Sequence, residues 1–245
     1  MEKLDTKSSF VLGFFIFLGL SILGYLISTS VIKYKEFDRT VIVKGLSEKE
    51  VEADIVLWPI RFSVIDNSLD ELNKKVENDT NEILRFLEIN GINKDEITIN
   101  SPAIIDKMAN EYSNQEVQVR YLANRTINIY SSNIIKVREI TGKLFELSKK
   151  GILFKIDDYD SKIEYIYTKL NDIKPSMIEE ATNNARSVAL KFAEDSKSKL
   201  GKIKKASQGQ FVITSRDKNT EYIKNVRIVS TVEYYLSDWF YLRGL

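Results

Sequence analysis

The sequence contains neither cysteine nor histidine. The missing cysteine excludes disulfides, thiolate nucleophiles and cysteine-ligated zinc or iron–sulfur sites. The missing histidine removes the commonest general base and the commonest metal ligand of proteins. We therefore expect a protein that is not an enzyme, with no catalytic residue, no cofactor and no metal site.

Other chemical signatures are missing as well. The sequence has no G-x-G-x-x-G, G-x-x-x-x-G-K-[ST] or G-x-S-x-G pattern, which excludes the common phosphate loops and the nucleophile elbow. The formal net charge is +1, so no overall basic field attracts nucleic acid, and we expect no nucleic-acid partner. Asp157, Asp158 and Asp160 offer oxygen ligands for calcium, but without the spacing and glycine of an EF-hand loop they favour a solvated turn.

What is present first is a long apolar segment. Residues 8–32 carry no charge, and a helix of that length exceeds the roughly 30 Å hydrocarbon core of a bilayer. We interpret residues 1–34 as a membrane anchor that spans at about 9–32, and residues 35–245 as one extracytoplasmic domain. A cleaved signal peptide and a buried core helix are the alternatives; the length of the run and the lack of a small-residue cleavage site favour the anchor.

The location follows from this anchor. We expect a single-pass protein of the inner or cytoplasmic membrane, with the bulk of the chain periplasmic or extracellular. The flanking charges do not decide the orientation, because Lys3 and Lys7 before the span are matched by Lys33 and Lys35 after it. Export of the large C-terminal part is the usual outcome for an anchor with little ahead of it.

Strands begin directly after the anchor. Residues 40–46 and 53–65 are rich in β-branched and aromatic residues and predict two strands. Pro59 cannot donate to a ladder, so the second strand is predicted to be an edge strand or bulged. Further strands are predicted near residues 95–104 and 117–132, residues 151–170 are predicted to be extended, and two more strands close the chain.

Three helices are predicted between the strands. The first begins at a capping box of Ser68 and Glu71 and stops at Gly91, and the second covers about 133–150. The third begins near Ser176, where Ser176 and Glu179 repeat the capping-box spacing, and stops at Leu200 before Gly201. The order is then β-β-α-β-β-α-β-α-β-β, an α+β fold of mainly antiparallel sheets covered by about three helices.

The third helix has a distinctive face. Its alanines recur every four residues and form an apolar stripe, with Val188 and Phe192 placed within or beside it. Small side chains let a helix approach its partner closely, so we predict a core helix pressed on a sheet or on another helix. The four alanines are Ala181, Ala185, Ala189 and Ala193.

Four other residues are candidates for a partner or subunit contact. Leu190 points away from the alanine stripe and is predicted to be exposed. Trp239, Phe240 and Tyr241 stand together after the last predicted strand. These three aromatic residues pack on their own domain in one interpretation, and contact a subunit or the membrane interface in the other.

The sequence resembles the SIMPL-domain family of bacterial periplasmic and membrane-anchored proteins. The resemblance covers about residues 40–236 and is carried by Gly45 with the acidic stretch and strand that follow it, and by the alanine helix ending in Leu200-Gly201. Ala53-Asp54 stands where the family usually has proline-aspartate. The resemblance implies an α+β domain, oligomeric rings or channel-like assemblies in a relative, an association with oxidative-stress defence, and no agreed enzymatic activity.

Two hypotheses on function follow. In the first, the chain is a non-enzymatic, membrane-anchored extracytoplasmic domain that forms homo-oligomers and has a structural or protective role in the envelope, with a link to oxidative stress. In the second, it is a binding module for a small ligand, a lipid or an envelope polymer. A carboxylate enzyme is disfavoured because no pair of acids can be nominated.

Overall fold

The structure is a computed structural model that describes residues 6–37, 39–109, 118–155 and 161–238. Helices and strands alternate as predicted, and the α+β class with antiparallel sheets is confirmed. The helices are α1 (Thr6–Phe37), α2 (Leu69–Ile89), α3 (Ile134–Lys143), α4 (Phe145–Ser148) and α5 (Leu170–Asp195). The strands are β1 (Thr40–Glu52), β2 (Ile55–Asp66), β3 (Ile97–Ile99), β4 (Ala103–Asp106), β5 (Tyr121–Ser131), β6 (Leu153–Phe154), β7 (Glu164–Ile166), β8 (Ser198–Gln208), β9 (Val212–Ser215) and β10 (Ile223–Asp238).

The chain divides into two compact units. Unit 1 comprises residues 1–48, 174–212 and 227–245, and unit 2 comprises residues 49–173 and 213–226. Residues 35–245, which we interpret from the sequence as one domain, are therefore distributed over both units.

Helix α1 carries the apolar segment of unit 1. Its residues Phe10–Ser30 have a mean hydropathy of 2.5, and none of that stretch is buried against the rest of the chain. A core helix would be covered by other side chains, so this geometry is that of a membrane anchor or a signal sequence.

The sheet of unit 1 lies under α5. Its strands run in the order β1, β10, β8; β9 also pairs with β10, but all of β9 except Val212 belongs to unit 2. The four alanines of α5 are all buried, and they pack with Val43 of β1 and with Val232 and Tyr234 of β10. The prediction of a core helix pressed on a sheet agrees with this packing.

Gly45 explains how close this contact is. A Cβ atom placed on Gly45 would lie 1.8 Å from the carbonyl oxygen of Ala181 and 2.4 Å from the backbone nitrogen of Ala185. Beside the contact, the Asn184 side chain donates to the Leu46 carbonyl at 2.8 Å, and the buried Ser47 hydroxyl donates to Glu180 at 2.8 Å. Backbone meets backbone here because neither partner carries a side chain larger than a methyl group.

The predicted bounds of this helix are wrong at both ends. The helix begins at Leu170, so Ser176 lies inside it rather than at its cap, and Pro175 lies inside it too. It ends at Asp195 because Lys197 adopts a left-handed backbone with φ 53°, and the chain turns into β8 at Ser198. Gly201, the predicted stop, is part of β8.

Unit 2 has a six-stranded sheet and a core of large side chains. The central order is β3, β5, β2, β6, with β4 also on β5 and β7 also on β2. Helices α2 and α3 contribute Leu72, Ile83 and Ile140 to a core that also holds Phe62 and Ile127. This core has long aliphatic and aromatic side chains where unit 1 has alanine.

The ends of α2 agree with the sequence prediction. The Ser68 hydroxyl accepts from the backbone N–H of Glu71, which satisfies one free donor of the first turn. At the other end, Gly91 has φ 82°, its N–H donates to Glu88 at 2.9 Å, and the N–H of Ile92 donates to Leu87 at 3.0 Å. These two bonds form a Schellman motif, which needs a residue tolerant of positive φ.

The second predicted helix is divided. Helix α3 ends at Lys143 and the single turn α4 follows at Phe145. The N–H of Leu144 donates to Thr141 at 3.3 Å, three residues back, which tightens the chain at the junction. The junction borders the cavity described below.

Candidate functional site

A cavity lies beside Pro59 of β2 in unit 2. Strand β2 pairs with β5 along its length without a register shift, so the predicted bulge at Pro59 is wrong. On its other side, the described residues pair β2 with β7 at Ile55–Leu57 and with β6 at Phe62–Ser63. Pro59 lies between these two short pairings.

Pro59 cannot donate a ladder bond on the side of β2 that faces β6. The N–H of Lys155 donates to the carbonyl of Arg61 at 2.9 Å, on the β6 side of β2. Residues of an antiparallel strand bond alternately to one neighbour and the other, so Pro59 faces the same side as Arg61. Pro59 has no N–H to donate there, and a continuous neighbouring strand would lose a ladder bond at this point.

The cavity has a volume of about 550 Å³. Volumes of roughly 300 to 1,000 Å³ are typical of small-ligand pockets. The walls come from β2, from the α3–α4 junction, from β6 and β7, and from the loop between β9 and β10. All of these segments belong to unit 2.

Aromatic side chains form much of the lining. Trp58 is 4% exposed, and its neighbours in the wall are Phe145, Phe154, Tyr165 and Tyr222. The rings of Tyr165 and Tyr222 meet edge to face, with centroids 6.2 Å apart. Such rings offer a ligand large apolar area together with hydroxyl groups at their ends.

Arg138 is fixed over this aromatic wall. Its guanidinium carbon lies 3.7 Å from the ring centroid of Tyr222, a cation–π contact that holds the plane of the side chain and leaves its edge free of the ring. Burial raises the pKa of the Tyr165 phenol, and the nearby Arg138 charge lowers it by less. The phenol therefore stays protonated at neutral pH.

The charged lining holds both signs. Lys162 pairs with Glu221 at 2.8 Å, and the other cations of the wall are Arg61, Arg138, Lys155 and Lys218. Between the lining residues Lys155 and Ser161 the sequence places Asp157, Asp158 and Asp160, which lie outside the described residues. The features of the described lining that favour ligand binding are therefore the shape of the cavity and its aromatic rings, not a net charge.

Asp217 organises the loop that completes the wall. Its carboxylate accepts from the N–H groups of Asn219 and Thr220, each at 2.8 Å, and from the Thr220 hydroxyl. These bonds, the Thr220 hydroxyl first, lower the pKa of Asp217 to about 2. The loop then returns to β10 at Ile223, which places Lys218 and Glu221 in the cavity wall.

The predicted contact residues lie elsewhere. Leu190 is on α5 in unit 1 and is 43% exposed, away from the alanine stripe as the sequence indicates. Trp239, Phe240 and Tyr241 lie outside the described residues. None of the four is brought to the cavity by the described structure, and their role in contacts stays a prediction.

Two neighbours of the stripe depart from the prediction. Val188 and Phe192 are exposed, although the helical wheel puts them within or beside the alanine arc. A four-residue repeat drifts by about 40° per step around a helix, and the buried line drifts with it. By Ala189 and Ala193 the covered side has turned away from Val188 and Phe192.

Among the residues that the structure describes, no group of three or more Asp and Glu side chains is placed to hold a metal ion. The predictions of no metal and no cofactor stay predictions, because the acidic residues 157–160 lie outside that set. The described lining supplies hydrogen-bond donors, aromatic faces and ion pairs. This chemistry suits reversible binding.

The fold is that of an α+β protein with an apolar helix near the N-terminus. Antiparallel sheets follow this helix, and an alanine-faced helix covers one of them. Residues 41–227 match the family model SIMPL, described as a protein of unknown function (DUF541). The chain belongs to the SIMPL family, as the resemblance predicts. No curated protein matches the chain.

The cavity is what sequence reasoning missed. Its walls come from segments far apart along the chain, from Trp58 to Tyr222. The sequence signal was Pro59 within a strong strand pattern, which indicates a missing ladder bond but does not tell which neighbour is interrupted. Nothing in the local pattern marks Arg138 or Tyr222 as members of one site.

Proposed function

We propose that this SIMPL-family chain is a membrane-anchored domain, outside the cytoplasm, that binds a small ligand in the cavity of unit 2 and performs no catalysis. The observation that carries the proposal is the cavity itself: about 550 Å³, with Trp58 and other aromatic residues in its wall. A pocket of this size with apolar walls and a few polar groups is typical of a ligand site.

The anchor supports the location. The stretch Phe10–Ser30 is long and apolar enough to cross a bilayer and is not buried in the chain. A domain tethered in this way samples molecules near the membrane surface, such as envelope metabolites, lipids or segments of envelope polymers. The periplasmic or extracellular placement is part of the proposal.

Gly142 allows a direct test. It lies in α3 and in the cavity wall, and a Cβ atom placed on it would meet nothing within 4 Å. Gly142→Trp fills the mouth of the cavity without displacing backbone, and Gly142→Ala is the matched control. Both variants are compared with the native chain as full-length protein in lipid nanodiscs.

The probe is a small-molecule extract of the bacterial envelope, fractionated by size and polarity. A ligand that binds only the folded state raises the melting temperature, so we expect one fraction to stabilise the native chain and Gly142→Ala but not Gly142→Trp. No stabilising fraction, or equal stabilisation of Gly142→Trp, would contradict binding in this cavity.

Self-association is a second candidate function. Leu190, Val188 and Phe192 are exposed apolar residues on α5. Residues 1–34 carry a formal charge of +1, which is also the charge of the whole chain, so the remainder is neutral and repels itself weakly. A structural or protective envelope role, with the link to oxidative stress that the family resemblance implies, belongs to this candidate.

Light scattering of the detergent-solubilised full chain tests the second candidate. We expect oligomers that Leu190→Arg dissociates, whereas Ile135→Arg, at an exposed position of α3 in unit 2, leaves them intact. A native chain that stays monomeric at tens of micromolar protein would rule this candidate out.

A further inference from the structure

The wall of the cavity in unit 2 carries cations that the described part of the chain leaves without a carboxylate partner. Arg138, Lys155 and Lys218 lie in this wall, and no described Asp or Glu side chain pairs with any of the three. Lys162, by contrast, pairs with Glu221 at 2.8 Å, so the charge of that carboxylate is already matched. Local pairing of this kind, rather than the sum of charges over a wall, decides where an anion binds.

Arg138 is the cation whose side chain is held in place. Its guanidinium carbon lies 3.7 Å from the ring centroid of Tyr222, and that ring meets the ring of Tyr165 edge to face. A guanidinium that stacks by its face keeps its N–H donors in its own plane, directed away from the ring. None of these donors bonds to another group among the described residues. Their hydrogen bonds are therefore left to water or to a ligand.

Open space lies beside Arg138. Gly142 follows it by one turn of α3, and residues four apart on a helix are neighbours on the same face. A Cβ atom placed on Gly142 would meet nothing within 4 Å. Both residues line the cavity, so a group of a ligand has room next to the Arg138 side chain.

Tyr165 offers a further donor in the same wall. Burial raises the pKa of its phenol, and the Arg138 charge lowers that pKa by less. This electrostatic effect places the two side chains near each other. A phenol that stays protonated beside a guanidinium is able to donate to the same oxyanion.

Other parts of the wall suit an apolar body. Phe145 and Phe154 both line the cavity, and Phe145 is 69% exposed. A large ring left in contact with water in the wall of a pocket is apolar surface that a ligand covers. A molecule with an anionic group at Arg138 would therefore place its remaining atoms against aromatic rings.

We propose that the ligand of this cavity joins an aromatic or other apolar body to an oxyanion, a carboxylate or a phosphate monoester, and that Arg138 binds the oxyanion. This ligand class rests on the proposed function, because it specifies what the same cavity binds. The N–H donors of Arg138 bind two oxygens of the anion, and the body lies against Phe145 and Phe154. The planar fork of arginine matches carboxylate and phosphate, whereas a lysine supplies only a point charge.

A matched series of para-fluorophenyl compounds tests the ligand class. The probes are the acetate, the phosphate, the neutral acetamide and the cationic ethylamine, and fluorine NMR measures their binding to the full-length chain in phosphatidylcholine nanodiscs. Nanodiscs without protein give the background. We expect both anions to bind at least about tenfold more tightly than the acetamide, and the amine to bind most weakly. The tighter anion indicates whether the natural ligand carries a carboxylate or a phosphate.

Variants separate the anion contact from the cavity itself. Gly142→Trp fills the cavity and is expected to abolish binding of every probe. Arg138→Gln removes the guanidinium, and we expect the anions to fall to the affinity of the acetamide, which stays unchanged. Arg138→Lys keeps the charge without the fork and is expected to retain part of the preference for anions. Arg85→Gln, at an exposed position of α2 outside the cavity wall, is the matched control and is expected to bind like the native chain.

The outcomes distinguish the ligand class from the proposed function. Equal affinities for all probes, or tightest binding of the amine, overturn the ligand class, and loss of that binding in Gly142→Trp still supports the cavity as a site. Anion binding that Gly142→Trp leaves unchanged overturns both. If no probe binds at millimolar concentration, the ligand class is overturned, and stabilisation by the envelope extract alone decides whether the cavity binds a ligand.

Salt dependence covers the case in which Arg138→Gln does not fold. The screening length falls from about 10 Å at 0.1 M salt to about 3 Å at 1 M salt. We expect the native chain to lose about threefold or more of its affinity for the anions over this range, and its affinity for the acetamide to stay within about twofold. An equal response of the anions and the acetamide overturns the ionic contact.

Discussion

In both units helices pack on a sheet, but the side chains at the contact are small in unit 1 and large in unit 2. In unit 1 the contact is made by alanines of α5 over Gly45, and backbone approaches backbone. In unit 2 the contact is made by residues such as Phe62, Ile83 and Ile140, and the layers stand apart by the length of a side chain.

The difference decides where a ligand has room. Close packing of small residues leaves no space between the layers of unit 1, since even one added methyl group would overlap backbone atoms. In unit 2 the segments that carry long and aromatic side chains, β2, the α3–α4 junction and the β9–β10 loop, enclose a volume of about 550 Å³ beside Pro59. The close contact of backbone with backbone is found in unit 1, the unit that contains α1.

The largest effect is expected from Gly45→Ala in unit 1. The added methyl group would lie 1.8 Å from the Ala181 carbonyl oxygen, a backbone atom that cannot move without shifting α5. We expect a loss of more than about 3 kcal/mol in the free energy of unfolding, beyond the usual cost of overpacking. Thermal unfolding of the detergent-solubilised chain measures it. A loss below 1 kcal/mol, on the order of a surface change, would show that the two layers are not in close contact.

A smaller effect is expected when a methyl group is removed from unit 2. Ile83 is fully buried in α2, and Ile83→Val leaves a small void among neighbours that relax only in part. We expect a loss of about 1 kcal/mol. The comparison between the units fails if this deletion costs more than the addition at Gly45, measured on the same preparation.

The same glycine-to-alanine change is expected to have the opposite sign at Gly142. It lies in helix α3 with open space beside it, and alanine has the higher helix propensity. We expect a gain of up to about 1 kcal/mol. Ligand stabilisation is retained, because one methyl group does not fill the cavity. A loss of stability would mean that space beside Gly142 is occupied.

The smallest effect is expected when low pH protonates the carboxyl group of Asp217, which organises the loop between β9 and β10. The pKa of Asp217 is lowered to about 2 in the folded chain, below its ordinary value of 3.8. A depressed carboxyl pKa contributes stability that is fully present above the unfolded pKa and is lost as pH falls from about 4 toward 2. The carboxyl group is exposed, so we expect a local effect on the loop.

Carbon-13 resonances of the Asp217 carboxyl group, followed as the chain is acidified, measure this pKa. Asp217→Asn keeps an acceptor for the Asn219 and Thr220 N–H groups and serves as the control for Asp217→Ala, which leaves both without it. We expect Asp217→Ala to weaken ligand binding more than Asp217→Asn. Titration of the native group near 3.8 would contradict the hydrogen-bonded loop.

Much of the fold could be predicted from local patterns. The cap at Ser68, the stop at Gly91 and the buried alanine stripe depend on a few neighbouring residues, and all three are present in the structure. The errors arose where one local sequence pattern is compatible with two different structures. The Ser176–Glu179 spacing resembles a cap, but the helix starts before Pro175, and a lysine with positive φ ends it where a glycine was expected.

The sequence alone determined the apolar N-terminal helix, the alternation of strands and helices, and the absence of thiol and imidazole chemistry, because each is a property of composition or of short-range periodicity. Tertiary structure decided the rest. Gly45 needs Ala181 and Ala185 from the far part of the chain, the cavity needs β2, the α3–α4 junction and the β9–β10 loop to meet, and the end of β10 needs Arg39 beside it. Such contacts join residues more than a hundred positions apart or select one strand partner among several, and no local pattern encodes that choice.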